Sequence, residues 1–194
     1  MIPKENSNIQ RTVALYNMIP STIWSVINLA PICIYCFTSS NYTVFYIFLA
    51  VSLIPAFVKN AFLNKLQIGK TAAIYKKLGV HIINKVAQNG VIVNKLVKRK
   101  FPDHKVVTNK KQSIAGLIGQ TYVFEKFHLI LFVFFSFTTI YAFIKGSIAW
   151  GFTILLTNIL YNIYPNLLQQ YIRLKLKLFY GRTNGKTATK IAHE

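Results

Sequence analysis

Four apolar runs, at about residues 19–38, 42–58, 127–144 and 147–168, constrain this chain more than any other feature of its sequence. A bilayer core of ~30 Å takes about 20 apolar residues as a helix, within a range of about 17–25. Each run falls in that range. In lipid the backbone has to satisfy its own hydrogen bonds, so such runs fold as helices. Pro31, Pro55 and Pro165 lie within the runs or near their ends, where membrane helices tolerate proline better than soluble ones do. The expectation is an all-α integral membrane protein with four transmembrane helices. The first run follows a polar lead, MIPKENSNIQR, and no small-x-small site closes it. It reads as a retained anchor, not a cleaved signal.

Charge supports this reading. Only 14% of the 194 residues are charged, against about a quarter in soluble domains. Lys and Arg number 23 and Asp and Glu four, for a net charge of +19. Basicity alone suits nucleic acid, but that class gives no reason for lipid-length runs, and no nucleic-acid partner is expected. Lys and Arg placement sets membrane orientation. Two precede the first run, none lies in 39–41, fourteen lie in 59–126, one (Lys145) separates the last two runs, and six follow residue 168. The alternation places both termini and the long middle segment in the cytoplasm.

The middle segment, 59–126, is patterned. In NAFLNKLQIGKTAAIYKKLG, the residues Phe62, Leu63, Leu66, Ala73, Ile74 and Leu78 fall on helical spacing with lysines between them. VHIINKVAQNGVIVNKLV repeats the style, with Gly90 as a bend. Basic amphipathic helices of this kind lie in the interface plane, their lysines meeting anionic headgroups at ~1 kcal/mol each. The stretch KLVKRKFPDHKVVTNKKQ has a turn signal at Pro102-Asp103. Its charge serves headgroups or, alternatively, the phosphates of a coenzyme A thioester, although no Gly-rich phosphate loop is present. SIAGLIGQTYVF then leads directly into the third run. The whole reads as one membrane domain, 1–180, with a polar tail at 181–194. Cys33 and Cys36 have no second pair to complete a metal site and read as small buried apolar side chains.

Two ionisable residues stand at the mouth of the third run. Glu125 and His128 are i and i+3 on a helix, hence on one face, and ionisable groups at membrane depth point to function. A di-iron bundle repeats Glu-x-x-His on a second helix; no repeat exists here, and no metal or cofactor is expected. Two roles stay open. As an acid–base pair, Glu125 orients His128, which takes a hydroxyl proton during acyl transfer. As a structural feature, Glu125 pairs with Lys126 or a loop lysine, and His128 hydrogen-bonds a neighbouring helix.

The last run ends in NIYPNLLQQYIRLKLKLF. This resembles the signature of the glycosyl-4,4'-diaponeurosporenoate acyltransferase family, small bacterial membrane proteins of carotenoid tailoring. That signature places Asn and Pro before Gln-Arg-Tyr-Asn-Arg-x-Arg-Leu. Asn162, Pro165, Gln169, Tyr171, Arg173 and Leu176 match it, and Lys175 keeps the charge. Gln170 stands where the family has arginine, and Ile172 where it has asparagine. Glu125 and His128 match the family's Glu-x-x-His ahead of a hydrophobic run. The resemblance spans roughly 60–180. It implies an enzyme of the bacterial cytoplasmic (inner) membrane that esterifies a fatty acyl group onto the sugar of a glycosylated carotenoid.

Bottom-up, Gln169, Tyr171, Arg173 and Lys175 lie where a helix leaves the bilayer. They are interfacial anchors, or they bind substrate across a cleft from catalytic Glu125 and His128. Two functions follow. One is a membrane acyltransferase acting on a lipidic acceptor, with acyl-CoA or another acyl donor as co-substrate and membrane lipids around it. The other is a non-catalytic membrane subunit or scaffold that docks anionic lipid or a larger membrane-protein partner.

Overall fold

The computed structural model describes residues 3–39, 41–86, 91–101 and 111–191; among them there are helices and turns and no strand. The apolar runs form the long elements. Helix α1 (Pro3–Thr38) carries the first, and α2 (Tyr42–Ser52) the second. Past α2 the chain tightens into a single 3₁₀ turn, Ile54–Phe57, with Pro55 near its start, a position where the missing proline N–H is no loss. Four short helices follow: α3 (Asn60–Lys65), α4 (Ala72–Lys77), α5 (Val80–Val86) and α6 (Val91–Lys100). Helix α7 (Lys111–Ile144) takes in the segment before the third run without a break. The fourth run forms α8 (Ile148–Asn158), a turn widened to π geometry at Ile159–Ile163, and the start of α9 (Tyr164–Ile191). The junction residues Asn158, Ile159 and Tyr164 keep right-handed helical φ/ψ, so α8 and α9 make one rod.

Pro165 accounts for the widened turn. It lacks an N–H for the carbonyl of Tyr161, four residues earlier, and its ring crowds that carbonyl. A π turn is one way for a helix to absorb such a conflict.

By length and composition, Arg11–Thr38 and Ile114–Ile144 are each able to cross a membrane, with mean hydropathies of 1.5 and 2.1; Tyr42–Phe57 is apolar but shorter. Helix α9 continues to Ile191, through most of the stretch where the sequence suggests a tail.

Helix α7 is the hub, packing against α2, α8 and α9. A tight turn folds α8 back on it: Gly146, at φ +72°, lets its N–H reach Phe143 O (3.0 Å) and the Ser147 N–H reach Ala142 O (2.9 Å). This is a Schellman end, which favours glycine because of the positive φ. The core at this end joins Ile32 and Tyr35 of α1, Phe45 of α2, Phe135 and Ala142 of α7, and Ile154 of α8. Buried Gly151 lets α8 approach Phe143, since a Cβ there would meet the ring at 2.5 Å. Gly151→Ala should therefore cost about 1–3 kcal/mol through overpacking, read as a lower midpoint of detergent-induced unfolding. Large apolar side chains point outward along the same helices. Phe37, Ile144 and Phe57 are 77%, 77% and 87% exposed. Cys33 is likewise exposed, not buried as the sequence suggests; both cysteines are free.

The middle segment departs from the amphipathic pattern. NAFLNKLQIGKTAAIYKKLG is two short helices, not one. They are separated at 66–71 around Gly69, whose added Cβ would lie 2.6 Å from Ile74. Gly79 (φ +76°) turns α4 into α5. Phe62, Leu66, Ile74 and Leu78 are exposed, whereas Leu63, Tyr75, Val80 and Val97 are buried. Tyr75 and Val80 pack on Leu167, Leu168 and Tyr171 of α9. The spacing fits a helix, but it does not record that an aromatic would be the side chain gripping α9. Gly90, the Pro102-Asp103 turn, His104 and residues 192–194 lie outside the described residues.

Candidate functional site

The α8–α9 rod carries a polar stripe. Asn158, Asn162, Asn166 and Gln170 recur every fourth residue, Arg173 follows three later, and all five are buried. In an α-helix a spacing of four drifts about 40° per step; the wider turn at 159–163 takes up part of that drift. The stripe faces α7, where Ser136, His128 and Glu125 lie.

At its deep end, Asn158 Nδ2 donates to Ser136 Oγ (3.2 Å) and Phe132 O (3.4 Å), and Asn162 Nδ2 donates to Asn158 Oδ1 (2.8 Å). The Ser25 and Tyr161 hydroxyls meet at 2.9 Å, tying α1 to the π turn. Asn158→Leu should cost about 1 kcal/mol by stranding the Asn162 amide, the net worth of a typical buried hydrogen bond; the unfolding midpoint measures it.

His128 sits between these contacts and the charged end. Its ring meets Tyr161 edge-on at 5.7 Å. Asn162 and the backbone of Tyr161 are its polar neighbours, the latter being the carbonyl that Pro165 deprives of its usual donor. His128 Nδ1 and Asn162 Oδ1 are both buried without a hydrogen-bond partner.

At the other end Arg173 is 0% exposed and Glu125 1%. Arg173 Nη1 donates to Glu125 Oε2, and Gln170 Nε2 donates to Glu125 Oε1 at 2.8 Å. Gln170 is itself held: its Oε1 lies 3.1 Å from the Tyr75 hydroxyl and 3.3 Å from the Ile68 N–H. The 66–71 turn thus exists to meet α9, and Gly69 O, accepting from Gln67 Nε2, braces it. The guanidinium stacks at 4.2 Å on the ring of Tyr122, whose hydroxyl donates to Asn64 Oδ1 at 2.8 Å. Arg173 Nε and Nη2 have no hydrogen-bond partner. A buried ion pair is retained only where geometry and further hydrogen bonds offset its desolvation. Here the carboxylate is satisfied and the guanidinium is not.

The structure brings together Glu125 and Arg173, with His128 one turn deeper on the same helix as Glu125. It pairs Glu125 with Arg173, not with Lys126 or a loop lysine, and among the described residues no hydrogen bond joins Glu125 to His128. Tyr171 is buried and tilts against Tyr75 (6.1 Å). Exposed Lys175 lies over Tyr171 at 4.5 Å. Gln169 is half-buried and hydrogen-bonds neither Glu125 nor His128. Gln170, its neighbour, is the glutamine that reaches Glu125. Sequence reasoning passed over Tyr75, Tyr122, Asn158, Asn166 and the role of Gln170. The four-residue recurrence of Asn158, Asn162, Asn166 and Gln170 was the available signal; nothing local marks Tyr75 or Tyr122.

A family profile described as glycosyl-4,4'-diaponeurosporenoate acyltransferase matches residues 59–182. No curated protein and no solved structure matches the chain. The matched region takes in α3 to α8 and most of α9, and so holds Glu125, His128 and the whole polar stripe.

Proposed function

The chain belongs to the glycosyl-4,4'-diaponeurosporenoate acyltransferase family, and from that premise we propose that it is a membrane-embedded acyltransferase. It moves a fatty acyl group from an activated donor, such as a coenzyme A thioester, onto a hydroxyl of a lipidic acceptor at the cytoplasmic face. The family description supports a glycosylated carotenoid as that acceptor. The observation that carries this reading is the buried Arg173, tied to Glu125 but with Nε and Nη2 unpartnered among the described residues, together with a histidine one turn from Glu125 on α7 whose Nδ1 is also without a partner.

The chain crosses the bilayer four times, with the fourth crossing made by α8 and the start of α9. Its supports are the four runs, the outward apolar side chains and the alternation of basic segments. Nineteen residues separate Glu125 from Ile144, about 28 Å of helix, close to the thickness of the hydrocarbon core. With the Lys145 turn at one surface, Glu125 lies at the opposite margin. Arg173 reaches back toward it, because helical side chains tilt toward their N-terminus.

In this site His128 Nδ1 accepts the proton of the acceptor hydroxyl. The oxygen attacks the acyl carbonyl, forming the ester C–O bond. Negative charge gathers on the carbonyl oxygen, where the free N–H groups of Arg173 hold it; fixed donors of this kind supply the largest share of many rate enhancements. Breaking the C–S bond releases the thiolate, and His128 returns the proton to it. Glu125 and Gln170 fix the guanidinium, while the edge-on ring of Tyr161 packs against the imidazole. Gln169, Tyr171 and Lys175, on the same stretch of α9 as Arg173, are further substrate contacts in this reading. Gln170 stands where the resembled signature has arginine, so here Glu125 meets a neutral amide as well as the Arg173 cation.

Membranes containing the protein, given labelled acyl-CoA and a glycosylated carotenoid, should form the labelled ester. Failure of correctly inserted wild-type protein to acylate any glycosylated lipid would favour a non-catalytic scaffold.

A further inference from the structure

The end of the bundle away from Glu125 holds a second feature. A cavity of about 380 Å³ lies where α1 meets α2 and α7 meets α8. Tyr35, Tyr141 and Trp150 give it aromatic walls, Asn41 and Ser147 give it polar groups, and Lys145 gives it charge. Lys145 is exposed, sits 5.6 Å over the Tyr141 ring and, among the described residues, forms no salt bridge. No carboxylate lines the cavity. Trp150 also lines an apolar groove of about 390 Å³ between α1 and α8, walled by Ala30, Pro31, Ile34 and Ala149. Small side chains on the two helices leave this groove open. A cationic polar pocket and an apolar groove therefore meet at one tryptophan.

We propose that the two form a single binding site for an anionic phospholipid. The phosphate neutralises Lys145, the glycerol backbone lies at Trp150, and one acyl chain follows the groove past Pro31. Charge selects the ligand: the pocket offers an unpaired cation, and the groove admits hydrocarbon, so a free phosphate would fill only half the site. Lysine and aromatic side chains are the usual partners of lipid headgroups at the interface. Lys145, in the turn just past α7, lies twenty residues from Glu125, about 30 Å along the helix, so this lipid takes no part in the chemistry. The inference rests on the membrane-spanning part of the function proposed above, not on acyl transfer.

The chain has two tryptophans, so Trp24→Phe leaves Trp150 as the sole reporter. In phosphatidylcholine nanodiscs, brominated phosphatidylglycerol should quench Trp150 several-fold more efficiently than brominated phosphatidylcholine. K145Q should abolish the preference and K145R should keep it. Glycerol 3-phosphate in solution should not relieve the quenching. Equal quenching by the two lipids, a preference that survives in K145Q, relief by glycerol 3-phosphate, or no quenching by either lipid would each overturn the proposal. Loss of acyl transfer in protein that still shows the preference would count against the acyltransferase reading alone.

Discussion

Arg173→Met should destabilise the folded protein by about 3–5 kcal/mol, the range for removing one partner of a buried ion pair. Glu125 is 1% exposed, and without Arg173 its carboxylate keeps only the Gln170 amide. The methionine fills the space over Tyr122 but offers no charge. Combining it with Glu125→Gln removes the stranded charge as well, and most of the lost stability should return, because replacing both partners of a buried pair is often neutral. Acyl transfer should not return, since the donors for the developing oxyanion are gone. Unfolding midpoints in mixed micelles and ester formation in membranes separate the two effects. A single variant as stable as the parent would mean that Arg173 and Glu125 do not rely on each other. An active double variant would remove Arg173 from the chemistry.

His128→Ala should behave in the opposite way. With Nδ1 unpartnered, the imidazole contributes ring packing on Tyr161 and no hydrogen bond of normal geometry. Its removal should shift the unfolding midpoint little, while turnover falls by about 10²–10⁴-fold, the usual contribution of a positioned acid–base group. His128→Gln keeps polarity but cannot cycle a proton, and should be equally slow. Asn162→Ala should slow turnover less, because Asn162 is a polar neighbour of the ring and exchanges no proton with substrate. Equal activity of His128→Ala and wild-type protein would leave the site without a base.

The sequence made the helical class legible because long apolar runs favour a self-bonded backbone, and two of the four runs lie in helices long and apolar enough to cross a membrane, whereas the second breaks after Ser52 into a 3₁₀ turn. It also singled out Glu125 and His128, as a rare carboxylate and an imidazole at the mouth of a run, and Arg173, through the resemblance of QQYIRLKL to a family signature. The partner of Glu125 was not legible. Position 173 is 48 residues from 125, and only the folding of α9 against α7 brings them together. Local reading favoured the neighbouring Lys126 and the i+3 histidine, whereas tertiary packing chose Arg173. The middle segment misled for a similar reason: helical spacing runs through 60–79, but Gly69 and Gly79 divide it, and the buried anchor is Tyr75. The π turn is explicable after the fact from Pro165, but proline at that position permits a kink equally well.

Lipid extracts from a host strain lacking the chain, complemented with wild-type protein, His128→Ala, or the Glu125→Gln/Arg173→Met double variant, can be compared by mass spectrometry. One class of glycosylated lipid should carry an added fatty acyl ester with wild-type protein and remain unesterified with either variant, at equal protein levels in the membrane. Identical profiles across all four strains would contradict acyl transfer at the Glu125–Arg173–His128 site.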